Sequence, residues 1–136
     1  MNRFFVDTFY WITLANRRDQ WHPRVQAFNR TLTTRHFSTT EEVLAEFLDF
    51  CGGGTPETRH RAVLFTRRVL TDPHIIVVPQ THASFLAGLA LYESSPDKKY
   101  SLTDCISMQA MRREGLTDVL TNDHHFRQEG FRILFP

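Results

Sequence analysis

Short apolar runs alternate along the chain with longer segments that have helical periodicity. Five short segments predict strands, and the continuously apolar ones predict strands buried on both faces. They lie at 4–6, 36–38, 75–78, 118–120 and 131–135. The helical segments lie at 8–16, 23–33, 43–51, 56–70, 81–92, 101–113 and 123–128. This alternation predicts one α/β domain over residues 1–136, with a central parallel sheet of about five strands and helices on both faces.

Polar and apolar positions around the predicted helices indicate how these helices begin and what they bury. Thr39 and Glu42 have the spacing of a capping box before the third helix, and the glycines at 52–54 end that helix. We expect the apolar face of the next helix to lie in the core; it comprises Ala62, Val63, Phe65, Val69 and Leu70. Phenylalanines on such faces are expected to pack in the core instead of stacking on bases: Phe47, Phe50, Phe65 and Phe85.

Composition excludes several classes of protein. With 136 residues, 41% hydrophobic and 23% charged, the chain suits one globular domain, not a disordered or fibrous protein. The longest uncharged stretch contains Pro79 and Gln80, so no membrane span is predicted, and the N-terminal apolar run ends at Asp7, short of a signal peptide. We expect a cytoplasmic protein. Cys51 and Cys105 indicate neither a disulfide framework nor a zinc site, and we expect free, buried thiols.

Four acidic residues follow predicted strands or begin predicted helices. Asp7 follows the first strand, Glu46 lies one turn into the helix after the second, Asp104 lies in the first turn of its helix, and Asp123 follows the fourth strand. Each has an alternative explanation as a helix cap or a favourable charge near a helix N-terminus. The carboxyl ends of parallel strands nevertheless meet at one edge, where ligands bind. Four carboxylates gathered there would repel one another unless a cation neutralised them.

The ligand set favours hard divalent ions. Carboxylate oxygens suit Mg²⁺ or Mn²⁺ better than zinc, and the adjacent His124 and His125 lack the spacing that places two imidazoles on one helix face, so we expect neither to bind metal. Such a site predicts phosphodiester hydrolysis by an activated water. Nucleotide triphosphate hydrolysis is unsupported, because no glycine-rich phosphate loop is present.

The third helix offers two acids, and its periodicity favours Glu46 over Glu42 as the metal-binding one. At about 100° per residue, Glu46 lies at the border of the apolar stripe, near Val43 and Phe50, whereas Glu42 and Asp49 lie farther toward the opposite face. An acid at the border of a buried stripe is able to face a cleft.

Four segments resemble those of the PIN-domain family, the metal-dependent ribonucleases that include VapC-type toxins of bacterial toxin–antitoxin pairs. They are Phe-Val-Asp-Thr at 5–8, Thr-Glu-Glu-Val-Leu-Ala-Glu-Phe at 40–47, Ser-Leu-Thr-Asp-Cys-Ile-Ser at 101–107 and Leu-Thr-Asn-Asp-His-His-Phe at 120–126. These segments span nearly the whole chain in the family's order. No segment between 55 and 96 aligns with a family motif.

The resemblance implies specific roles. Asp7, Glu46, Asp104 and Asp123 would be the catalytic, metal-binding acids, with Thr8 and Thr121 as polar supports. It further implies an RNA substrate, Mg²⁺ or Mn²⁺ as cofactor, a homodimer, and a small antitoxin protein whose tail blocks the site.

Basic residues offer a surface for RNA, although net charge is only +1. Fourteen of the sixteen basic residues are arginine, which suits bidentate phosphate contacts. Arg59 and Arg61 lie on one predicted helix and Arg112 and Arg113 on another; the alternative is that they form solvated helix faces. Other functions stay open at this point: a PIN-fold module that binds RNA or protein without cutting, a housekeeping RNA-processing nuclease, and a response-regulator receiver domain, whose late acid and lysine pattern is absent.

Overall fold

A computed structural model describes residues 3–34 and 36–136 and contains alternating strands and helices. The strands are β1 (Arg3–Val6), β2 (His36–Thr40), β3 (Ile75–Val78), β4 (Asp118–Leu120) and β5 (Arg132–Ile133). The helices are α1 (Thr8–Ala15), α2 (His22–Thr31), α3 (Glu41–Gly52), α4 (Pro56–Thr71), α5 (His82–Ser94), α6 (Leu102–Glu114) and α7 (His125–Gln128). Every strand and helix predicted from the sequence is therefore present, with shifts of a few residues at the ends.

The five strands form one parallel sheet in the order β3-β2-β1-β4-β5, which confirms the predicted fold class. From β1 the chain adds β2 and β3 on one side, and then β4 and β5 on the other. The strand order therefore reverses at β1, the place where open α/β sheets bind ligands beyond the carboxyl ends of their strands. Val6 and Leu120 are register partners at the ends of β1 and β4, so the residues that follow them start side by side.

Successive side chains along each strand point to opposite faces of the sheet, and the two faces differ in composition. Phe37 of β2 packs its ring against Phe4 and Tyr10, within an aromatic cluster beneath α1 and α2 that also contains Trp11, Phe28 and Phe135. The next residue, Ser38, faces the opposite side and donates a hydrogen bond to Glu114 of α6 at 3.4 Å. Apolar and aromatic burial on the first face and α6 on the second make the sheet a buried central layer.

Helix α5 buries a serine, a glycine and a leucine, and leaves most of its large apolar residues exposed. Ser84, Gly88 and Leu91 are buried against α6, and a Cβ atom on Gly88 would lie 2.4 Å from Ile106 Cγ1. Four large apolar residues on the other faces of α5 are at least 40% exposed: Phe85, Leu86, Leu89 and Tyr92. The close approach of α5 to α6 therefore depends on a position that has no side chain.

The predicted start of the third helix is wrong by one residue. Thr40, not Thr39, is the N-cap of α3, and its hydroxyl accepts the Val43 N–H at 3.1 Å. Thr39 is a strand residue that pairs with Val77, and its hydroxyl donates to the Val6 carbonyl at 2.9 Å. Pairing with β3 extends β2 to Thr40, so Glu42 has no partner for the capping box expected of it.

Several residues expected in the core are at the surface. Phe50 is 62% exposed and Phe85 43%, whereas Phe47 is fully buried and Phe65 half-buried. On α4, Ala62 and Val69 are buried as expected. Val63 and Leu70, expected on the same face, are exposed. α4 packs mainly against α3 and β3, and its Phe65 ring also contacts Trp11 of α1, so its apolar stripe is wider than the area that these elements cover.

The cysteines and the last strand differ in part from the predictions. Cys105 is buried and Cys51 half-buried, and both are free thiols. The final strand is shorter than predicted, although Leu134 and Phe135 still donate backbone hydrogen bonds to the carbonyls of Val119 and Thr121.

Within the described ranges, no helix has both the length and the apolar character needed to cross a bilayer.

Replacing Gly88 with alanine should destabilise the protein. Alanine favours helix over glycine by about 1 kcal/mol, but its Cβ would press on a stiff, buried isoleucine, and overpacking typically costs about 1–3 kcal/mol. We expect a lower Tm in thermal unfolding followed by circular dichroism.

Gly53→Ala is the matched control for this substitution. Gly53 has φ −75°, and the nearest atom to an added Cβ is the Phe50 carbonyl oxygen at 3.7 Å, so the Tm should stay or rise. An unchanged Tm for Gly88→Ala would show that α5 and α6 separate easily at this contact.

Candidate active site

The β1–α1 junction places Asp7 at the centre of the carboxyl edge of the sheet. Asp7 is the N-cap residue of α1, yet its buried side chain makes no capping hydrogen bond. It accepts a hydrogen bond from the Thr121 hydroxyl at 2.7 Å instead, and the same hydroxyl accepts the Asp123 N–H at 3.1 Å. Thr121 therefore links the residues that follow β1 and β4, and the capping explanation fails for Asp7.

Glu46 approaches Asp7 from α3. Its carboxylate accepts a hydrogen bond from the hydroxyl of Thr8, the residue next to Asp7. Glu42, one turn earlier on α3, lines a neighbouring cavity. Glu46 is thus the α3 acid that lies beside Asp7, as its position at the border of the apolar stripe predicted.

Asp104 and Asp123 complete the group of acids. Asp104 lies in the first turn of α6, where it accepts the Ser101 N–H at 3.1 Å in a capping box. Asp123 follows β4 and accepts the His125 N–H at 2.9 Å. These two acids do have local hydrogen-bonding roles, so the alternative explanation from the sequence holds for them in part. Asp104 and Asp123 nevertheless offer ligand oxygens within 4.8 Å of each other, and the charges of Asp104 and Glu46 act on Asp7.

Burial and the neighbouring charges shift the pKa values of two of these acids. Burial raises the pKa of Asp7 from its ordinary 3.8 to about 7, and the charges of Asp104 and Glu46 add to the rise while the Thr121 hydroxyl opposes it. Burial also raises the pKa of Asp104, with Asp123 and Glu46 contributing repulsion and Ser101 opposing the rise. A divalent cation in this cleft would relieve the repulsion, so the residues present fit a bound Mg²⁺ or Mn²⁺.

His125 lies beside these acids, which its sequence position did not indicate. Asp104, Asp123 and His125 each offer a ligand atom within 4.8 Å of the others. The His125 Nδ1 lies 3.2 Å from Asp123 Oδ1, in a geometry that makes no hydrogen bond, although this nitrogen is buried. The imidazole reaches the site through the turn after β4, two residues beyond Asp123, and not through helical spacing. A nearby Tyr100 ring, 5.5 Å away between centroids, supports it.

Within residues 3–34 and 36–136, no hydrogen bond or ion pair joins the four acids to the arginines expected to bind RNA. Arg112 and Arg113 lie in the last turn of α6, about 13 Å along the helix from Asp104. The Arg112 guanidinium donates to Glu129 at 2.8 Å and lies over the Phe131 ring. Arg59 donates to the Gly52 carbonyl at 3.3 Å, and it is exposed like Arg61. Their contact with RNA stays a prediction.

Comparisons with known proteins identify the fold. No protein-family model and no curated protein matches the sequence. The fold is similar to that of VapC20 from Mycobacterium tuberculosis, a toxin that cleaves the sarcin-ricin loop, with a TM-score of 0.83 and 21% identity over 94% of this chain and 95% of that one. The chain has a PIN-like fold.

Two further solved structures are similar in fold. VapBC2 from Rickettsia felis, bound to a DNA fragment from its promoter, gives a TM-score of 0.67 with 10% identity over 97% of each chain. FitAcB from Neisseria gonorrhoeae gives a TM-score of 0.61 with 16% identity over 96% of this chain and 95% of that one. The similarity therefore spans nearly the whole PIN-like domain in each case.

The raised pKa of Asp7 predicts that the metal-free protein loses stability as pH rises. In the unfolded chain Asp7 releases its proton near 3.8, whereas in the folded protein it does so at about 7. Between these values the folded state holds a proton that the unfolded state has lost, so stability falls across this window and is constant above it. The total is a few kcal/mol, since one pKa unit is worth about 1.4 kcal/mol.

This dependence is measurable as Tm in EDTA at pH 5 and pH 8. Asp7→Asn should show a smaller fall in Tm than the wild type, with the remainder due to Asp104. Asp49→Asn, which changes an exposed acid of α3, should keep the wild-type fall. Equal pH dependence for wild type and Asp7→Asn would contradict the raised pKa.

Proposed function

We propose that the chain is a metal-dependent endoribonuclease that hydrolyses RNA phosphodiester bonds, and that it acts in the cytoplasm as the toxin of a toxin–antitoxin pair. The observation that carries this proposal is the convergence of Asp7, Glu46, Asp104 and Asp123 at the switch point of the sheet, where burial and mutual repulsion raise the pKa values of Asp7 and Asp104. Such a group of acids suits a divalent ion and leaves room for a phosphate.

The four acids would hold Mg²⁺ or Mn²⁺. A bound divalent ion supplies an activated water and neutralises charge on the phosphate and the leaving oxygen. The chain's own contribution is to orient the ligand oxygens. Thr121 directs one oxygen of Asp7, Thr8 directs one oxygen of Glu46, and the Ser101 N–H fixes Asp104. The other carboxylate oxygens remain available to the ion.

His125 is an additional candidate ligand or orienting group. Its buried Nδ1 makes no hydrogen bond and lies beside Asp123. An imidazole in an otherwise all-oxygen site would strengthen binding of Mn²⁺ relative to Mg²⁺, because Mg²⁺ is the harder of the two ions.

The toxin role and the partners rest on the similar structures. VapC20 is a toxin that cleaves the sarcin-ricin loop, and VapBC2 binds a DNA fragment from its promoter. By analogy we assign RNA as substrate and a small antitoxin as partner. The exposed apolar residues of α3 and α4 would suit a docked antitoxin segment: Phe50, Val63, Leu64 and Leu70. The outward face of α5, with Leu86, Leu89 and Tyr92, would suit a homodimer.

Removal of the metal or of one central acid should abolish RNA cleavage without unfolding the protein. We expect purified protein to cut mixed RNA in Mg²⁺ or Mn²⁺ and to stop in EDTA. Asp104→Asn and Glu46→Gln should each lose at least about 100-fold in rate, because each carboxylate removed weakens the ion's binding and misplaces the reacting water.

Asp49→Asn is the control, because it removes a carboxylate from the exposed side of the same helix as Glu46. Its cleavage rate should equal that of the wild type. Cleavage that persists in EDTA would exclude the metal mechanism. Binding of RNA without any cleavage would favour a PIN-fold binding module.

Expression of the chain without its partner should slow growth of a bacterial host, and expression of Asp7→Asn to the same level should not. The measurement is growth rate after induction, with soluble protein quantified in both cultures. Normal growth at high levels of an active wild-type nuclease would favour a housekeeping RNA-processing enzyme.

A further inference from the structure

A cavity of about 430 Å³ opens beside the acids, between the first turns of α3, α5 and α6. Its lining includes Glu42, Gln80, His82, Phe85, Thr103 and Ile106. This volume lies within the range of small-molecule sites, about 300–1,000 Å³. Glu42 lies one helical turn before Glu46, and Thr103 directly precedes Asp104, so the cavity adjoins the candidate active site along two helices.

The walls of the cavity combine a flat apolar surface with polar groups at its edge. Phe85 is 43% exposed and Ile106, which also lines the cavity, is buried, so the two side chains give an apolar surface for stacking. Glu42 and Gln80 supply a carboxylate and a carboxamide. Within residues 3–34 and 36–136, no hydrogen bond or ion pair engages the half-buried Glu42 carboxylate. An aromatic face with hydrogen-bonding groups at the rim is how proteins hold an unstacked nucleobase.

Hydrogen bonds from the chain itself hold the loop between β3 and α5. The Gln80 N–H donates to Glu41 Oε1 at 2.7 Å, which ties the loop to the start of α3. Thr81 and Ser84 form a reciprocal capping box with two hydrogen bonds of 3.0 Å. The positions of Gln80, His82 and Phe85 are therefore preorganised, which lowers the entropic cost of binding.

The negative charges of Glu42 and of the active-site acids determine which chemical groups can enter the cavity. A phosphate would meet Glu42 inside the cavity and the active-site acids at its border, so the cavity repels anions. A carboxylate accepts hydrogen bonds only, so it favours a base edge that presents donors. Guanine offers two adjacent N–H donors on its Watson–Crick edge, whereas uracil offers one donor between two carbonyl oxygens that would face the carboxylate unfavourably.

We propose that this cavity binds the base of a nucleotide next to the scissile phosphate, and that it prefers guanine over uracil. The base stacks on Phe85 and donates to Glu42, with Gln80 at the edge. This assignment rests on the proposed ribonuclease function, and it makes Phe85 and Glu42 specificity-determining residues. It also accounts for an aromatic residue left exposed beside the acids.

The test measures RNA binding without cleavage. The Asp7→Asn protein is titrated into the fluorescein-labelled single-stranded pentamers UUGUU and UUUUU, in EDTA, and fluorescence anisotropy is followed. We expect UUGUU to bind at least about tenfold more tightly, in line with base stacking and edge recognition. Adding Phe85→Ala to the Asp7→Asn protein should reduce its affinity for UUGUU to its affinity for UUUUU. Adding Glu42→Gln should bring the two affinities within about twofold of each other while stacking persists.

Ile76→Ala is the matched control, because Ile76 is an exposed apolar residue of β3 and does not line the cavity. Its affinities should equal those of the parent. Analytical ultracentrifugation of each variant reports the oligomeric state. If Phe85→Ala changes the mass of the protein while leaving pentamer affinity unchanged, the cavity belongs to an interface between copies and the proposal is wrong.

Cleavage by the wild type separates this inference from the proposed function. A metal-dependent nuclease that cuts without base preference, and whose KM is unchanged by Phe85→Ala, would overturn the base site alone. A wild type that neither cuts RNA nor binds the pentamers would overturn the proposed function and this inference together. A rise in KM for guanine-containing RNA with kcat retained in Phe85→Ala is the expected result.

Discussion

The burial of Asp7 beside other carboxylates, at the carboxyl edge of the sheet, is the constraint on which this structure depends. Asp7 is buried, and the charges of Asp104 and Glu46 act on it, so it ionises near pH 7 when nothing neutralises the group. The folded protein relieves this by holding a proton, or by binding a cation that replaces it. Stability of the metal-free protein and affinity for a divalent ion are therefore two consequences of one electrostatic arrangement.

Two threonine hydroxyls make this arrangement possible. Asp7 and Thr8 are neighbours in sequence, but they interact with different parts of the chain: Asp7 with Thr121 after β4, and Thr8 with Glu46 on α3. Three segments, far apart in sequence, are thus joined around the end of β1. Because β1 lies where the strand order reverses, its carboxyl end opens into a crevice and not onto a helix.

Helix α5 shapes the border of this crevice. Gly88 lets α5 approach α6 closely, which places small residues at the contact and leaves the large apolar residues outside. At the N-terminal end of α5 this orientation leaves Phe85 at the cavity beside the acids, and further along it leaves Leu89 and Tyr92 exposed. One packing contact therefore determines both a wall of the candidate base site and an apolar surface suited to a partner.

The sequence by itself determined the order and type of the elements, because short apolar runs and helical periodicity are local properties that survive in the fold. It also predicted that Asp7, Glu46, Asp104 and Asp123 lie near the carboxyl edge of the sheet, since parallel strands end at one edge; their role in binding metal stays a prediction. Only the tertiary structure decided which of the helix caps and apolar faces suggested by local patterns are present in the fold. Pairing of β2 with β3 extended the strand to Thr40 and removed the expected cap of Thr39 and Glu42. The packing of α4 left Val63 and Leu70 at the surface. The contact of Gly88 with α6 left Phe85, on the other side of α5, at the surface as well. His125 joined the acids through a turn, and turns have no periodicity from which such proximity can be predicted.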